Sequence, residues 1–240
     1  MYFLRLLMND QNIYYQQNDR FLIAVDCIIF GFQQNQLCLL LLKRGFEPSK
    51  GEWSLAGGFL KKNESLKAAA QRVLSELTGL TNLFMEQIEA FGEMERDPGE
   101  RVISAAYYAL INVADYQKNL VKEFHTQWVD IKEIPKLIFD HNQMVQAALE
   151  RLRQKAASQP IGFNLLPEKF TLNQLQKLYE AIYQKEFDNR NFRKRIIELG
   201  FIEKSDEKDK STSKRGAFLY ILNKKKYEKA IHEGLNFEIN

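Results

Sequence analysis

The sequence predicts an α+β chain in two parts, a larger one that mixes strands and helices and then a smaller unit of two short helices with a β-hairpin. Two β-rich apolar runs, at 21–30 and 37–42, open the chain as a strand pair. An amphipathic stripe follows at 66–77, and two capped helical patterns at 171–182 and 188–199 precede further strand-like runs. With 240 residues, 45% hydrophobic and 27% charged, the chain has material for a large core domain and a small one, and the composition of a folded protein.

Between the first two strands, Gly31-Phe32-Gln33-Gln34-Asn35-Gln36 suits a hairpin connection. The run at 37–42 is the longest unbroken aliphatic or Cys stretch, far short of the roughly 20 residues a membrane helix requires. The apolar start at 2–8 is too short for a secretory core and leads to no small-residue cleavage site, so a cytoplasmic location and no membrane partner are expected. Cys27 and Cys38 lie inside the strands, with no second pair or His at metal-ligand spacing, and read as reduced core thiols. After the breaker-rich Arg44-Gly45-Phe46-Glu47-Pro48 and Trp53-Ser54-Leu55-Ala56-Gly57-Gly58-Phe59, a helix buries Leu66, Ala69, Ala70, Val73, Leu74 and Leu77, and Gly79 stops it. Strands are expected at 90–94 and 102–113, and an amphipathic helix at 139–153. The small, polar stretch 155–160, ended by Pro160, is the expected linker, dividing a domain at 1–155 from one at 156–240.

In the second domain Thr171 and Gln174 form a capping box ahead of an apolar stripe of Leu172, Leu175, Leu178, Tyr179 and Ile182. Asp188 can cap a second helix that buries Phe192, Ile196 and Leu199 and ends at Gly200. Phe201 and Ile202 lead into a polar, Lys-rich loop at 205–214, and 216–222 follows as a strand. Helix, turn, helix, strand, charged loop, strand is the order of a winged helix-turn-helix. Residues 164–240 hold 16 Lys and Arg against 12 Asp and Glu, whereas 1–163 hold 18 against 19. The formal +3 therefore belongs to the second domain, where a polyanion is expected to bind.

One segment carries the marks of an enzyme. Gly58, Glu64, Arg72, Leu74, Glu76, Gly79 and Leu80 reproduce most of the spacing of a Nudix box. The stretch resembles the hydrolases that split nucleoside diphosphates linked to another group, and Arg96-Asp97-Pro98 before a long strand resembles their ADP-ribose-type members. The resemblance implies an α/β/α sandwich with a mixed sheet. It also implies a divalent metal held by a glutamate directly after the arginine and by a pair three and four residues further on, which share one helix face. Here those positions are Val73, Glu76 and Leu77. Mg²⁺ needs oxygen ligands, which Val and Leu cannot supply, so no metal site, no cofactor and no Nudix-type hydrolysis are expected. The competing reading is a pyrophosphatase with ligands rearranged onto carboxylates such as Glu93 or Glu95. Glu64 and Arg72 read as a salt bridge holding the loop to the helix.

A pocket without its metal remains, and its candidate effector-binding residues are Asp26, Lys43, Arg44, Gly57, Gly58, Arg96 and Asp97. Asp26 interrupts an apolar strand and needs a partner, which Lys43 or Arg44 can provide, either as a structural ion pair or as the polar floor of a sugar cleft. Gly57 and Gly58 either let a ligand approach the backbone or make a turn. Arg96 and Asp97 either contact phosphate or hydroxyls or form a solvated turn.

In the second domain Asn189, Arg190, Asn191, Arg193 and Lys194 are the candidate base- and phosphate-contacting residues of a recognition helix, since Arg pairs bidentately with guanine and Asn with adenine. The wing adds Lys208, Lys210, Lys214 and Arg215, flexible cations that can reach phosphate or the minor groove, with Lys214 and Arg215 the leading DNA-binding candidates. A degenerate Nudix domain followed by Phe170-Thr171-Leu172-x-Gln174-Leu175 and Arg190-Asn191-Phe192-Arg193 resembles the Nudix-related transcriptional regulators. That resemblance implies a homodimeric, non-enzymatic repressor of a palindromic DNA operator, sensing ADP-ribose in control of NAD metabolism or a pentose such as arabinose. Loss of metal carboxylates removes one means of holding a diphosphate, and the expected effector is therefore a small sugar such as L-arabinose, with ADP-ribose as the alternative.

Overall fold

The computed structural model describes residues 15–116, 126–159, 161–210 and 214–232. The apolar start at 2–8, the proline of the expected linker and residues 211–213 of the charged loop lie outside these. The first domain is a mixed seven-stranded sheet. Its strands are β1 (Leu22–Gln33), β2 (Gln36–Lys43), β3 (Trp53–Ser54), β4 (Ala56–Phe59), β5 (Glu86–Phe91), β6 (Val102–Asn112) and β7 (Gln127–Asp130). The path runs β3-β2-β1-β6-β5, with β4 added beside β1 and β7 beside β2. β1 and β6 are parallel, and β1 pairs antiparallel with β2 and β4.

Alternation along β1 sorts the core into two layers. Val25, Cys27 and Ile29 pack with Ala69, Ala70, Val73 and Leu74 of α1 (Leu66–Thr78). Ile28, Phe30 and Phe32 face the other way, joining Met144, Val145, Ala148, Leu149 and Leu152 of a helix on the opposite side of the sheet. This is the expected sandwich. Both cysteines are buried and free, and burial pushes the Cys27 thiol up, as suits a core residue. Ser65 caps α1 by accepting from Ala68 N–H, and Gly79 ends it at φ 76.

Several boundaries differ from expectation. The hairpin turn is only Gln34 and Asn35, both left-handed at φ 50 and 63, and Gly31 to Gln33 continue the strand. Gly31 reads as a breaker, yet its missing side chain is filled by Val113 and Trp128, so it serves packing within the strand. β5 starts four residues before the expected 90. A short helix α2 (Val113–Tyr116) and strands β3, β4 and β7 were not anticipated, being too short to show a period. Helix α3 (His141–Ser158) extends through four of the residues expected as a linker, since Leu152 and Ala156 keep its apolar stripe in the core.

A 3₁₀ turn (Phe163–Leu165) leads to β8 (Phe170–Thr171), α4 (Leu172–Tyr183), α5 (Asn189–Glu198), β9 (Ile202–Asp209), β10 (Ala217–Leu222) and α6 (Lys224–His232). β8, β10 and β9 form one sheet, in that order, and complete a winged helix. β9 continues to Asp209 through residues expected to be loop, because pairing with β10 supplies order that a polar sequence does not announce. Thr171 both pairs with Leu219 as the end of β8 and caps α4, its side chain accepting from Gln174 N–H while Gln174 Oε1 accepts from Thr171 N–H at 2.8 Å. Leu175, Leu178, Tyr179 and Ile182 of α4 join the same apolar cluster as Leu149, Leu152 and Ala156 of α3.

Candidate functional site

A cleft opens where β1, β4, the loop after β2, the loop before β6 and the start of α3 meet. Asp26, Lys43, Arg44, Gly57, Gly58, Arg96 and Asp97 all line it, together with Phe46, Leu77, Phe139 and His141. Seven candidates spread over 72 positions are thus brought to one wall-to-wall depression.

Its floor is charged and nearly dry. Asp26 is buried on β1 and accepts from the Ser104 hydroxyl at 2.6 Å. Arg96 Nη2 lies 3.7 Å from Asp26 Oδ2, and the same guanidinium grips Asp140 through two bonds of 2.8 Å. His141 Nε2 is 3.6 Å from Asp26 Oδ1, while its Nδ1 accepts Leu55 N–H at 3.2 Å. That bond requires a lone pair on Nδ1, so the proton sits on Nε2 and the ring is neutral. Burial pushes the imidazole below its ordinary range, against the pull of Asp26 and Asp140.

Asp26 therefore has partners other than those expected. Lys43 Nζ lies 3.9 Å from the Trp53 ring centroid, and Arg44 lies 4.0 Å from that of Phe46 and 5.2 Å from that of Phe139. Both cations stay at the mouth, because β2 ends there, and Arg96 reaches the floor instead. Arg44 Nε donates to Phe46 O at 3.1 Å, which helps hold the guanidinium over the Phe46 ring. Burial lowers its pKa, opposed by the fields of Asp97 and Asp26. Asp97 accepts Gly99 N–H at 2.9 Å, closing the turn behind Arg96.

The two glycines are explained by neighbours. Gly57 sits opposite Asp26 in the β1–β4 register, and an added Cβ would collide with Asp26 Oδ1. At Gly58 a Cβ would stand 2.8 Å from Val73 Cγ2. The strand here is extended, so their role is close approach rather than a turn.

The Nudix box keeps its scaffold without its metal set. Arg72 makes two bonds to Glu64, of 2.6 and 2.9 Å, and a third to Phe59 O at 3.0 Å, tying the loop after β4 to α1. This pairing holds the Glu64 carboxyl down at about 2. Val73 is buried, Leu77 lines the cleft, and Glu76 is taken by Arg72 at 3.1 Å. A hard divalent ion does not fit these residues. Glu93 and Glu95 are exposed, and among the described residues no three His, Cys, Asp or Glu side chains gather as a metal set.

Phe46, Phe139, Asp140, His141 and Ser104 were missed as site residues. Phe139 offers the one structural signal, a bulky side chain at φ 50. In sequence, Asp140 and His141 look like the ordinary start of an amphipathic helix.

A second candidate surface lies on the winged helix. Asp188 caps α5 through Asn191 N–H at 2.8 Å, Phe192 and Ile196 are buried, and Asn189, Arg190, Asn191, Arg193 and Lys194 are all exposed. Lys194 pairs loosely with Glu198 at 3.9 Å. Lys214 and Arg215 are exposed between β9 and β10, and Lys204 and Lys208 lie 3.5 and 4.3 Å from the half-exposed Phe218 ring. Among the described residues no helix is long and apolar enough to cross a membrane.

Residues 20–148 match the NUDIX domain family, and 162–222 match the NrtR DNA-binding winged helix domain. Over 203 residues the chain is 38% identical to the ADPR responsive transcriptional repressor NtrR of Acinetobacter baylyi, the match covering 83% of this chain and 81% of that protein. The crystal structure of Shewanella oneidensis NrtR complexed with a 27mer DNA superposes with a TM-score of 0.72 at 30% identity, over 86% of this chain and 95% of that one. The NUDIX domain of Shewanella oneidensis NrtR complexed with ADP ribose superposes with a TM-score of 0.51 at 29% identity, over 59% of this chain and 97% of that one. Two of these names carry ADP-ribose and none a pentose, so the expected arabinose effector is without support.

Proposed function

The chain belongs to the Nudix-related transcriptional regulators, in which a NUDIX domain is joined to an NrtR DNA-binding winged helix, and on that premise we propose that it is an ADP-ribose-responsive repressor. The observation that carries this reading is the composition of the cleft. ADP-ribose has a planar base, two phosphates and hydroxyl-rich sugars. The faces of Phe46 and Phe139 suit the base, Arg44 beside them suits a phosphate, and the Asp26, Arg96 and His141 floor suits hydroxyls. Loss of metal carboxylates also argues the opposite of a neutral sugar. Those carboxylates repel a diphosphate unless a cation stands between, whereas Val73 and Leu77 add no such repulsion beside Arg44 and Lys43. The relatives' names support the same effector.

The apolar substitutions leave the domain a sensor that does not hydrolyse its ligand. The recognition helix is α5, with Asn189, Arg190, Asn191, Arg193 and Lys194 facing double-stranded DNA and Lys214 and Arg215 on phosphate. The protein acts as a homodimer on a palindromic operator, whose affinity shifts because ADP-ribose favours one arrangement of the two winged helices.

Calorimetric titration with ADP-ribose, L-arabinose and xylose tests the effector, and operator binding by fluorescence anisotropy with and without ADP-ribose tests the response. Saturable ADP-ribose binding that changes operator affinity is expected. Binding of a pentose without ADP-ribose would reverse the effector assignment. Turnover of ADP-ribose with Mg²⁺ or Mn²⁺ that disappears on Glu76→Gln would make the protein an enzyme.

A further inference from the structure

We propose that α3 transmits effector binding from the cleft to the recognition helix, through a junction formed by Arg153 and Tyr183. The proposal rests on the effector reading above and assigns the route by which that site acts.

At its first turn α3 belongs to the cleft. Asp140, the N-cap residue, makes no side-chain cap bond to its own helix, because its carboxylate is held by Arg96. His141 follows, lodged between Asp26 and Leu55 N–H. The preceding Phe139 is a cleft wall, held at a φ that bulky side chains rarely adopt. A ligand that inserts beside Phe139, or takes Arg96 or Asp26 as a partner, changes the forces on the start of α3. Arg96 already divides its charge between Asp140 on the helix and Asp26 on the sheet. A ligand that competes for this one guanidinium thus acts on the helix and the sheet together, and the proposal requires that α3 then shift between two packed arrangements.

About 18 Å further along, at the rise of a regular helix, α3 meets the winged helix. Arg153 Nε donates to Ile182 O at 3.2 Å, and the Tyr183 hydroxyl donates to Arg153 O at 3.2 Å. The Ile182 carbonyl belongs to the last turn of α4, where intrahelical donors run out and a cation is favoured. Each helix thus holds the other's backbone. Around this clasp Leu149, Leu152 and Ala156 share an apolar cluster with Leu178, Tyr179 and Ile182.

From Tyr183 the contact continues ring to ring. Tyr183 meets Phe187 edge-on at 5.8 Å, and Phe187 meets Phe192 at 5.9 Å. Phe192 is the buried anchor of α5, flanked by exposed Asn191 and Arg193. A rotation or slide of α3 therefore reaches the recognition helix through side chains in successive contact from Arg153 to Phe192.

The test separates binding from coupling in the full-length protein. For wild type, Tyr183→Phe and Arg153→Met, ADP-ribose affinity is measured by calorimetry. Operator affinity is then measured with and without saturating ADP-ribose. Both variants keep the bulk of the side chain and lie outside the cleft and the DNA-facing surface. ADP-ribose affinity of the free protein is expected to stay within about 3-fold of wild type, while the ratio of operator affinities falls to a small fraction of the typical 5- to 150-fold range of allosteric coupling. Should Arg153→Met prove unstable, Tyr183→Phe decides alone. An unchanged ratio in a folded variant overturns the route, while a wild-type ratio of one overturns the effector reading and this proposal with it.

Discussion

Replacing Arg96 by Met removes a guanidinium from the cleft floor while keeping most of its stem. The side chain is 3% exposed, and the carboxylates it serves are hardly more so, 7% for Asp26 and 10% for Asp140. Asp26 retains the Ser104 hydroxyl, whereas Asp140 loses both of its 2.8 Å bonds. Breaking a buried pair by deleting one partner costs about 3–5 kcal/mol. The retained hydroxyl places this case near the lower end, about 3 kcal/mol. For a chain of 240 residues that corresponds to a fall in Tm of roughly 6–12 °C. Urea unfolding followed by the fluorescence of Trp53 and Trp128 measures it. The double variant Arg96→Met with Asp140→Asn should recover much of the loss, because the uncompensated charge is gone. A cost below about 1 kcal/mol, within the range of solvent-exposed pairs, would refute the description of this floor as a buried ion network.

His141 stays neutral in the folded chain because burial lowers its pKa, whereas in the unfolded chain it takes up a proton as pH falls through the ordinary 6.5. Below that pH the unfolded state binds more protons, so stability is complete above 6.5 and declines as pH falls; denaturation midpoints at pH 5 and 7.5 should differ more for wild type than for His141→Gln. Gly57→Ala forces a Cβ into Asp26, and should weaken ADP-ribose binding about tenfold or more and cost about 1–3 kcal/mol of stability; Gly92→Ala, outside the cleft and meeting only Ile103 at ordinary contact distance, is the control for both measurements. On the winged helix, Arg190→Ala and Arg193→Ala should each cost about 1–3 kcal/mol at one operator position. Lys214→Ala should weaken all duplexes alike and reduce the salt slope by about 1, measured by anisotropy on operator and scrambled duplexes.

How much of this was legible depended on the range of the interaction. The caps of α4 and α5 are written within four residues, at Thr171 with Gln174 and at Asp188 with Asn191, and both stand where the sequence places them. The two faces of β1 follow from alternation alone. Asp26 was conspicuous as a carboxylate in an apolar strand, but its partners lie 70 to 115 positions away at Arg96, Ser104 and His141, beyond the reach of any local pattern. The same holds for Gly57, whose need to be Gly is set by the strand paired beside it. β9 misled in the opposite sense. Its charged sequence reads as a loop, and hydrogen bonds to β10 outweigh that weak propensity.

The double use of Thr171 has a mechanical consequence. One residue closes the β8 pairing with β10 and starts α4, so the hairpin that carries Lys214 and Arg215 is geared to the helix pair that carries Arg190 and Arg193. The spacing between α5 and the β9–β10 pair then acts as a ruler set by that shared residue. A force arriving along α3 can swing the ruler toward or away from a duplex, but cannot readily change its length. Operators that differ in the spacing between base-read and phosphate-held positions should then be discriminated in the same order with and without effector, even as overall affinity changes.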